Sequence, residues 1–254
     1  MPRGPVMISS VFCRYDLRTT DPDAARSFYS KVVGLDFGET PAAEGPSMLG
    51  VWLLHEQARA RGAPAHWLGH IGVVDLEATV TRLLELGSER LGPTVRANDG
   101  AAYATLRDPS GAVVAMRAIS RKPHGSPVAW HHHHTRDLER AWAAYSEVFG
   151  WTNAGTIDVA DTDGGYRMFA WDGSGQPVGS MANTARMPAV HPHWLYFFRV
   201  ADIDGAIAEV RAGGGAIISN QVTLPNGDRI VPCHDPQGAE FGLCQSTSRT
   251  RHGR

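Results

Sequence analysis

Cysteine is scarce in this 254-residue chain: Cys13, Cys233 and Cys244 are the full set, and no two are spaced as Cys-x-x-Cys. An odd count without that spacing argues against a disulfide framework or a thiolate zinc knot and favours a reducing, cytoplasmic setting. Charge of one sign is missing too. Lys and Arg number 24 against 26 Asp and Glu, a formal charge of −2, which supplies no basic field for nucleic acid or an anionic membrane. No apolar run reaches the ~18 to 20 residues of a bilayer span, and the opening Met-Pro-Arg-Gly has no signal-peptide core. Neither nucleic acid nor a membrane is therefore expected as a partner, and the chain is expected to be a monomer or homodimer. With 43% hydrophobic and 20% charged residues, the composition is that of ordinary globular domains, and the length suits two of them. Histidine is the abundant exception, at 12.

The order of residues repeats. Thr19, Asp21, Ala25, Tyr29, Ser30, Val32 and Gly34 recur as Thr135, Asp137, Ala141, Tyr145, Ser146, Val148 and Gly150, at an offset of 116. His66-Trp67-Leu68, Asp75 and Asp108-Pro109-Ser110-Gly111 recur as His193-Trp194-Leu195, Asp202 and Asp235-Pro236-Gln237-Gly238, at an offset of 127. The chain is a duplication whose second half carries about 11 extra residues between these blocks, so a truncated hairpin is expected in the first half, over 40–65. Each half also repeats within itself. Asp21, Asp75, Asp137 and Asp202 each open a helical pattern as N-caps, and Gly34, Gly87, Gly150 and Gly213 close them. Strand-like runs at 11–18, 67–74, 129–134 and 194–200 precede these helices, and further runs follow them, giving four β-α-β-β-β units. Residues 121–126 read as a linker, and 1–9 and the basic tail 247–254 as disordered.

Four such units in two pairs resemble a tandem member of the vicinal oxygen chelate superfamily, which includes glyoxalase I, the extradiol dioxygenases and the bleomycin-resistance proteins. The resemblance is carried by the Asp-to-Gly openings at 21–34 and 137–150, the Asp-Leu/Ile helices at 75 and 202, and the Asp-Pro-x-Gly turns at 108 and 235. The segments YRMFAWDGSGQPVGSM and HWLYFFRVADIDGA are similar to a glyoxalase-like, hydroxylase-like branch. The resemblance implies an α+β fold of two tandem domains, 8–120 and 127–246, each a pair of βαβββ units forming a cup-shaped, barrel-like sheet. It also implies a divalent metal held by His, Gln or Glu from the first and last strands of the units. Carried onto this chain, those positions fall at Arg14 and Trp130, Leu68 and Leu195, Ala115 and Gly242, and near Leu54 and Met181. None offers a donor for a hard divalent cation, so no metal and no cofactor are expected at the family site.

Strand alternation places Arg14 and Asp16, with Trp130, His132 and His134, on the cup faces. The same parity puts His66, His70, His193, Phe197 and Arg199 on the fifth-strand cup faces, and sends Tyr15, Leu17, His131 and His133 towards the helices. The ligand-binding set expected is thus Arg14, Asp16, His70, Trp130, His132, His134 and Phe197, with no catalytic residue singled out. Each has a plainer role open to it: ion pairing for Arg14 and Asp16, core packing for Trp130 and Phe197, hydrogen bonding for the histidines. His131–His134 could offer at most two ligands to one site, since neighbours on a strand diverge. Cys233 and His234 diverge for the same reason, against a catalytic pair. The functions in view are a small-molecule binding protein without the usual metal, a lyase, isomerase or oxygenase using a nonstandard histidine site that includes a metal in one version, and a scaffold.

Overall fold

A computed structural model of the chain describes residues 10–35, 37, 48–60, 62–123, 125–158, 163–171, 173, 175–224 and 226–247. The segments expected to be disordered, 1–9 and all but Thr247 of the tail, lie outside these residues. Four units follow one another. The first holds β1 (Phe12–Thr19), α1 (Pro22–Val33), β2 (Leu49–Leu53) and the short α2 (Glu56–Ala60). The second holds β3 (His66–Val73), α3 (Leu76–Glu85), β4 (Glu89–Arg90), β5 (Val95–Arg96), β6 (Ala102–Arg107) and β7 (Val113–Ala118). The third runs through β8 (Val128–His134), α4 (Leu138–Phe149), β9 (Thr152–Ile157), β10 (Tyr166–Ala170) and β11 (Gly179–Ala182), and ends in a 3₁₀ turn, Asn183–Arg186. The fourth contains β12 (His193–Arg199), α5 (Ile203–Ala212), β13 (Ala216–Ile217), β14 (Val222–Thr223), β15 (Arg229–His234) and β16 (Glu240–Gln245). Among the described residues the first unit has one strand after its helix and the third has three; residues 40–47 and 61 of the segment where a truncated hairpin is expected lie outside the described residues. No helix among them is long and apolar enough to cross a membrane.

The helix ends follow from their caps. Asp21, Asp75 and Asp137 accept from Ala24, Ala78 and Arg140 N–H, three residues on, and Asp202 accepts from Asp204 N–H. Each satisfies a donor that the first turn leaves open. Gly34 and Gly150 close α1 and α4 in the left-handed region, at φ 64 and 69. At α5 the expected terminator shifts by one residue: Gly213 sits at φ −80 and Gly214 takes φ +85.

The strands form two sheets, ordered β2-β1-β3-β7-β6-β4 with β5 on β6, and β13-β15-β16-β12-β8-β11-β10-β9 with β14 on β15. Neither order closes into a barrel. In both sheets the fifth-strand equivalent pairs in parallel with the last strand, His70 level with Ala115 and Phe197 level with Gly242.

Packing divides the molecule into two compact units that cut across the repeats. The first gathers the chain up to Arg14 with Gly69–Gly125 and His132–Trp194; the second gathers Tyr15–Leu68, Ser126–His131 and Leu195 onward. Each unit has the same buried latch. In the first, Tyr145 Oη donates to Asp108 Oδ2 at 2.9 Å and accepts from Trp194 Nε1 at 3.0 Å. In the second, Tyr29 Oη donates to Asp235 Oδ2 at 3.1 Å and accepts from Trp67 Nε1 at 2.9 Å. The aspartates are those of the Asp-Pro-x-Gly turns, and each also holds its own turn through two backbone N–H groups. Aromatic rings can be buried here because their polar tips have partners.

Candidate functional site

The first compact unit holds a wall of imidazoles. His132 and His134, two apart on β8, have ring centroids 4.3 Å apart and nearly perpendicular. His134 stacks on His193 at 4.4 Å, and His193 on His191 at 4.6 Å. Tyr166, from β10, stacks on the inner end against His132 at 5.0 Å. Hydroxyls fix the two β8 rings: Ser180 Oγ lies 2.8 Å from His132 Nδ1, and Thr184 Oγ1 lies 2.7 Å from His134 Nδ1. His132 Nε2 is buried and has no hydrogen-bond partner among the described residues.

Burial pushes His132 down to about 3, with the neighbouring His133 and His193 adding to the effect. His134 is pushed well below its ordinary value by burial and by the same crowd of imidazoles. Both are neutral at pH 7. A base that weak does not take a proton from a substrate hydroxyl at neutral pH; it forms hydrogen bonds and presents a flat face. His134, His193 and His191 lie face to face, while His132 meets His134 edge-on. Among the described residues, no group of three or more His, Cys, Asp or Glu could hold a metal ion.

The other β8 histidines point elsewhere. His133 Nε2 lies 2.9 Å from Asp108 Oδ2, and its ring stacks on Trp194. His131 Nε2 meets Tyr15 Oη at 2.7 Å in the second unit. Tyr15 packs there against Tyr196 and Phe198 of β12.

The seven residues expected to bind ligand divide between the two units. Arg14, His70, His132 and His134 belong to the first unit, and His132 and His134 are in ring contact with each other there. His70, fully buried, sets its ring 5.2 Å from Tyr103 on β6. Beside Tyr103 on β7, the buried Arg117 pairs with Asp99. Burial raises the Asp99 carboxyl, but the Ala101 N–H, Arg117 and Arg14 outweigh it and hold the group below the usual carboxylate range. Asp16, Trp130 and Phe197 belong to the second unit. Asp16 is 4% exposed and lies 3.9 Å from Arg18; Trp130 is buried. The Phe197 ring covers Gly242 so closely that a Cβ built there would meet its Cδ1 at 2.1 Å.

Sequence reasoning left Tyr166, His191, Asp99, Tyr103 and Arg117 out of the site. Arg117 stands two residues beyond Ala115, so strand parity carried its signal. His191 lies in an irregular connection, where no period marks a side chain's direction. The three thiols are free and buried, and burial pushes Cys13 and Cys244 up to about 11 and Cys233 to about 12.

Family models match both halves of the chain, one described as Glyoxalase-like domain over residues 13–116 and one as Glyoxalase/Bleomycin resistance protein/Dioxygenase superfamily over 132–243. The chain belongs to this superfamily. Among its relatives is CFP32 of Mycobacterium tuberculosis, which bears the provisional name glyoxylase; it is 28% identical over 90% of this chain and 92% of its own length. The anthracycline biosynthesis protein DauV of Streptomyces sp. strain C5 is 26% identical over 72% of this chain and 67% of its own. Similar solved structures include the Mn(II)-bound glyoxalase of Novosphingobium aromaticivorans, with a TM-score of 0.63 at 12% identity, covering 94% of this chain and 83% of that one. The 2,3-dioxygenase LapB of Pseudomonas sp. KL28 reaches 0.65 at 12% identity, covering 95% and 94%. At that identity the likeness shows the shared fold.

The metal that this superfamily implies does not fit the residues present. Arg14 and Ala115 in one half, and Trp130 and Gly242 in the other, provide no neutral or anionic donor where the first and last strands would supply one. His70, level with Ala115, is a single imidazole among them. At Gly242 the space a carboxylate stem would need is filled by Phe197.

Proposed function

We propose that this superfamily member binds a small planar organic molecule without the family's metal, and that the imidazole wall of the first compact unit is where it binds. The observation that carries this reading is His132: buried, neutral, stacked on Tyr166, with Nε2 unpartnered among the described residues. A concave site joins flat apolar faces to a few polar groups that fix orientation, and a buried unpaired nitrogen is a polar group awaiting a ligand's hydrogen bond. The name of the relative DauV, from anthracycline biosynthesis, agrees with a flat aromatic partner.

The test uses protein purified without a tag. Elemental analysis is expected to return no stoichiometric transition metal, and a library of planar aromatics is expected to contain compounds that raise the melting temperature of the native chain but not of His132→Phe. A stoichiometric metal lost in His132→Phe would instead establish the histidine-based enzyme. An unresponsive chain, with neither metal nor ligand, would leave the scaffold reading.

A further inference from the structure

A depression of about 600 Å³ opens on the first compact unit where the 3₁₀ turn runs towards β12. Its lining combines the guanidinium groups of Arg136 and Arg186 with Met187, Ala189 and His191. That volume lies within the range of small-molecule sites. The two arginines differ. Arg186 is paired with Asp163, whereas Arg136 donates from Nε to the Ala185 carbonyl at 3.2 Å and makes no ion pair among the described residues. The carbonyl fixes the guanidinium without neutralising it, and the terminal nitrogens form the fork that suits a carboxylate. Ala189 holds φ 66, a left-handed conformation unusual for a residue with a Cβ, so the floor has a specific shape rather than a relaxed one. His191 belongs both to this lining and to the imidazole stack, of which it is the exposed outer ring.

We propose that this depression is the subsite for an anionic group on the planar ligand: Arg136 receives a carboxylate or similar anion, and the attached aromatic ring continues the stack at His191. The inference rests on the reading that this unit binds a planar organic molecule, and it narrows that molecule to an aromatic acid. The apolar Met187 side chain offers the ring a second surface.

Titration calorimetry of the full chain with 2-naphthoate and with its uncharged amide tests the proposal. Naphthoate is expected to bind more tightly than the amide. Arg136→Met is expected to weaken naphthoate about tenfold while changing the amide by less than about twofold, a difference of about 1.4 kcal/mol for the charged contact. Arg136→Lys, which keeps charge and loses the fork, should fall between. His191→Ala should weaken both probes. Equal binding of the two probes, an Arg136→Met variant that binds naphthoate normally, or failure of both probes to bind overturns the subsite. His132→Phe separates this proposal from the reading beneath it. Should both probes be lost in His132→Phe while Arg136→Met is silent, the imidazole wall stands and the groove falls. Should naphthoate be lost in Arg136→Met while His132→Phe is silent, the groove stands and the wall falls.

Discussion

Tyr15 and His131 occupy the same position in the two repeats, 116 residues apart, and they bond to each other, Oη to Nε2, at 2.7 Å. Duplication put a side chain at this place twice; divergence made one a phenol and the other an imidazole, so that a buried pair could be satisfied. Tyr15→Phe would leave His131 Nε2 buried without this partner and is expected to cost about 1–3 kcal/mol. Adding His131→Leu should recover part of that loss, because two apolar residues leave less polar surface unsatisfied than one half of a pair. Urea unfolding of the two single variants and the double variant checks this; strictly additive costs would show that the pair is not coupled.

The two turn aspartates, Asp108 and Asp235, differ through one histidine. Burial raises both carboxyls. At Asp108 it is outweighed by His133 and by hydrogen bonds from Ser110 and Tyr145, so that carboxyl lies below its ordinary value; at Asp235 burial prevails and the carboxyl lies above it. The residue equivalent to His133 in the first repeat is Leu17, which is apolar. A depressed carboxyl adds stability that is present above the unfolded-state value, near ~3.9, and is lost as pH falls through the folded one. His133→Leu should therefore cost about 1–3 kcal/mol at pH 7, since it takes one partner from a buried carboxylate that keeps Tyr145 and the Ser110 and Ala112 N–H groups. It should also flatten the loss of stability on acidification below about pH 4. Denaturation midpoints from pH 3 to 7 check both; an unchanged acid limb would exclude the His133 effect.

Strand parity and caps made most of the fold legible. Asp21, Asp75, Asp137 and Asp202 cap the helices they were expected to open, because a short carboxylate two or three residues before a free N–H is a local relation. The pairings of Tyr29 with Asp235 and Tyr145 with Asp108 were not legible, although all four residues stood in the repeat motifs. Nothing local in a sequence says which turn a helix tyrosine will reach. The same limit applied to the imidazole wall: parity put His132 and His134 on one face, but Tyr166 and His191 join them only through the sheet order and an irregular connection.

The wall itself predicts acid sensitivity. His132 and His134 are depressed in the folded chain, so the unfolded chain binds more protons below an ordinary histidine value near ~6.5. Stability is then fully present above about pH 6.5 and declines as pH falls towards the folded values, by up to about 1.4 kcal/mol per pH unit for each histidine. His132→Phe is expected to remove one such contribution and to reduce the slope between pH 6 and 4, whatever it does to stability at pH 7. Melting temperatures across this range decide it; an identical slope in the variant would mean that His132 is not among the groups responsible.

The resemblance carries the family's last-strand carboxylate onto Gly242, and the Phe197 ring lies 2.1 Å from where a Cβ there would be. Gly242→Glu alone must therefore displace that ring and bury a charge beside it. Overpacking of this kind costs about 1–3 kcal/mol, and the unpaired carboxylate adds to it. Phe197→Ala alone opens a cavity worth about 3–5 kcal/mol. The two changes act on the same space, so each should relieve the other, and the double variant should be more stable than the sum of the two losses predicts by about 1 kcal/mol or more. Urea unfolding of the two single variants and the double variant measures this coupling. Additive losses would mean that some other feature keeps a carboxylate from this strand. A favourable coupling would identify the Phe197 ring as what keeps a larger side chain out of position 242.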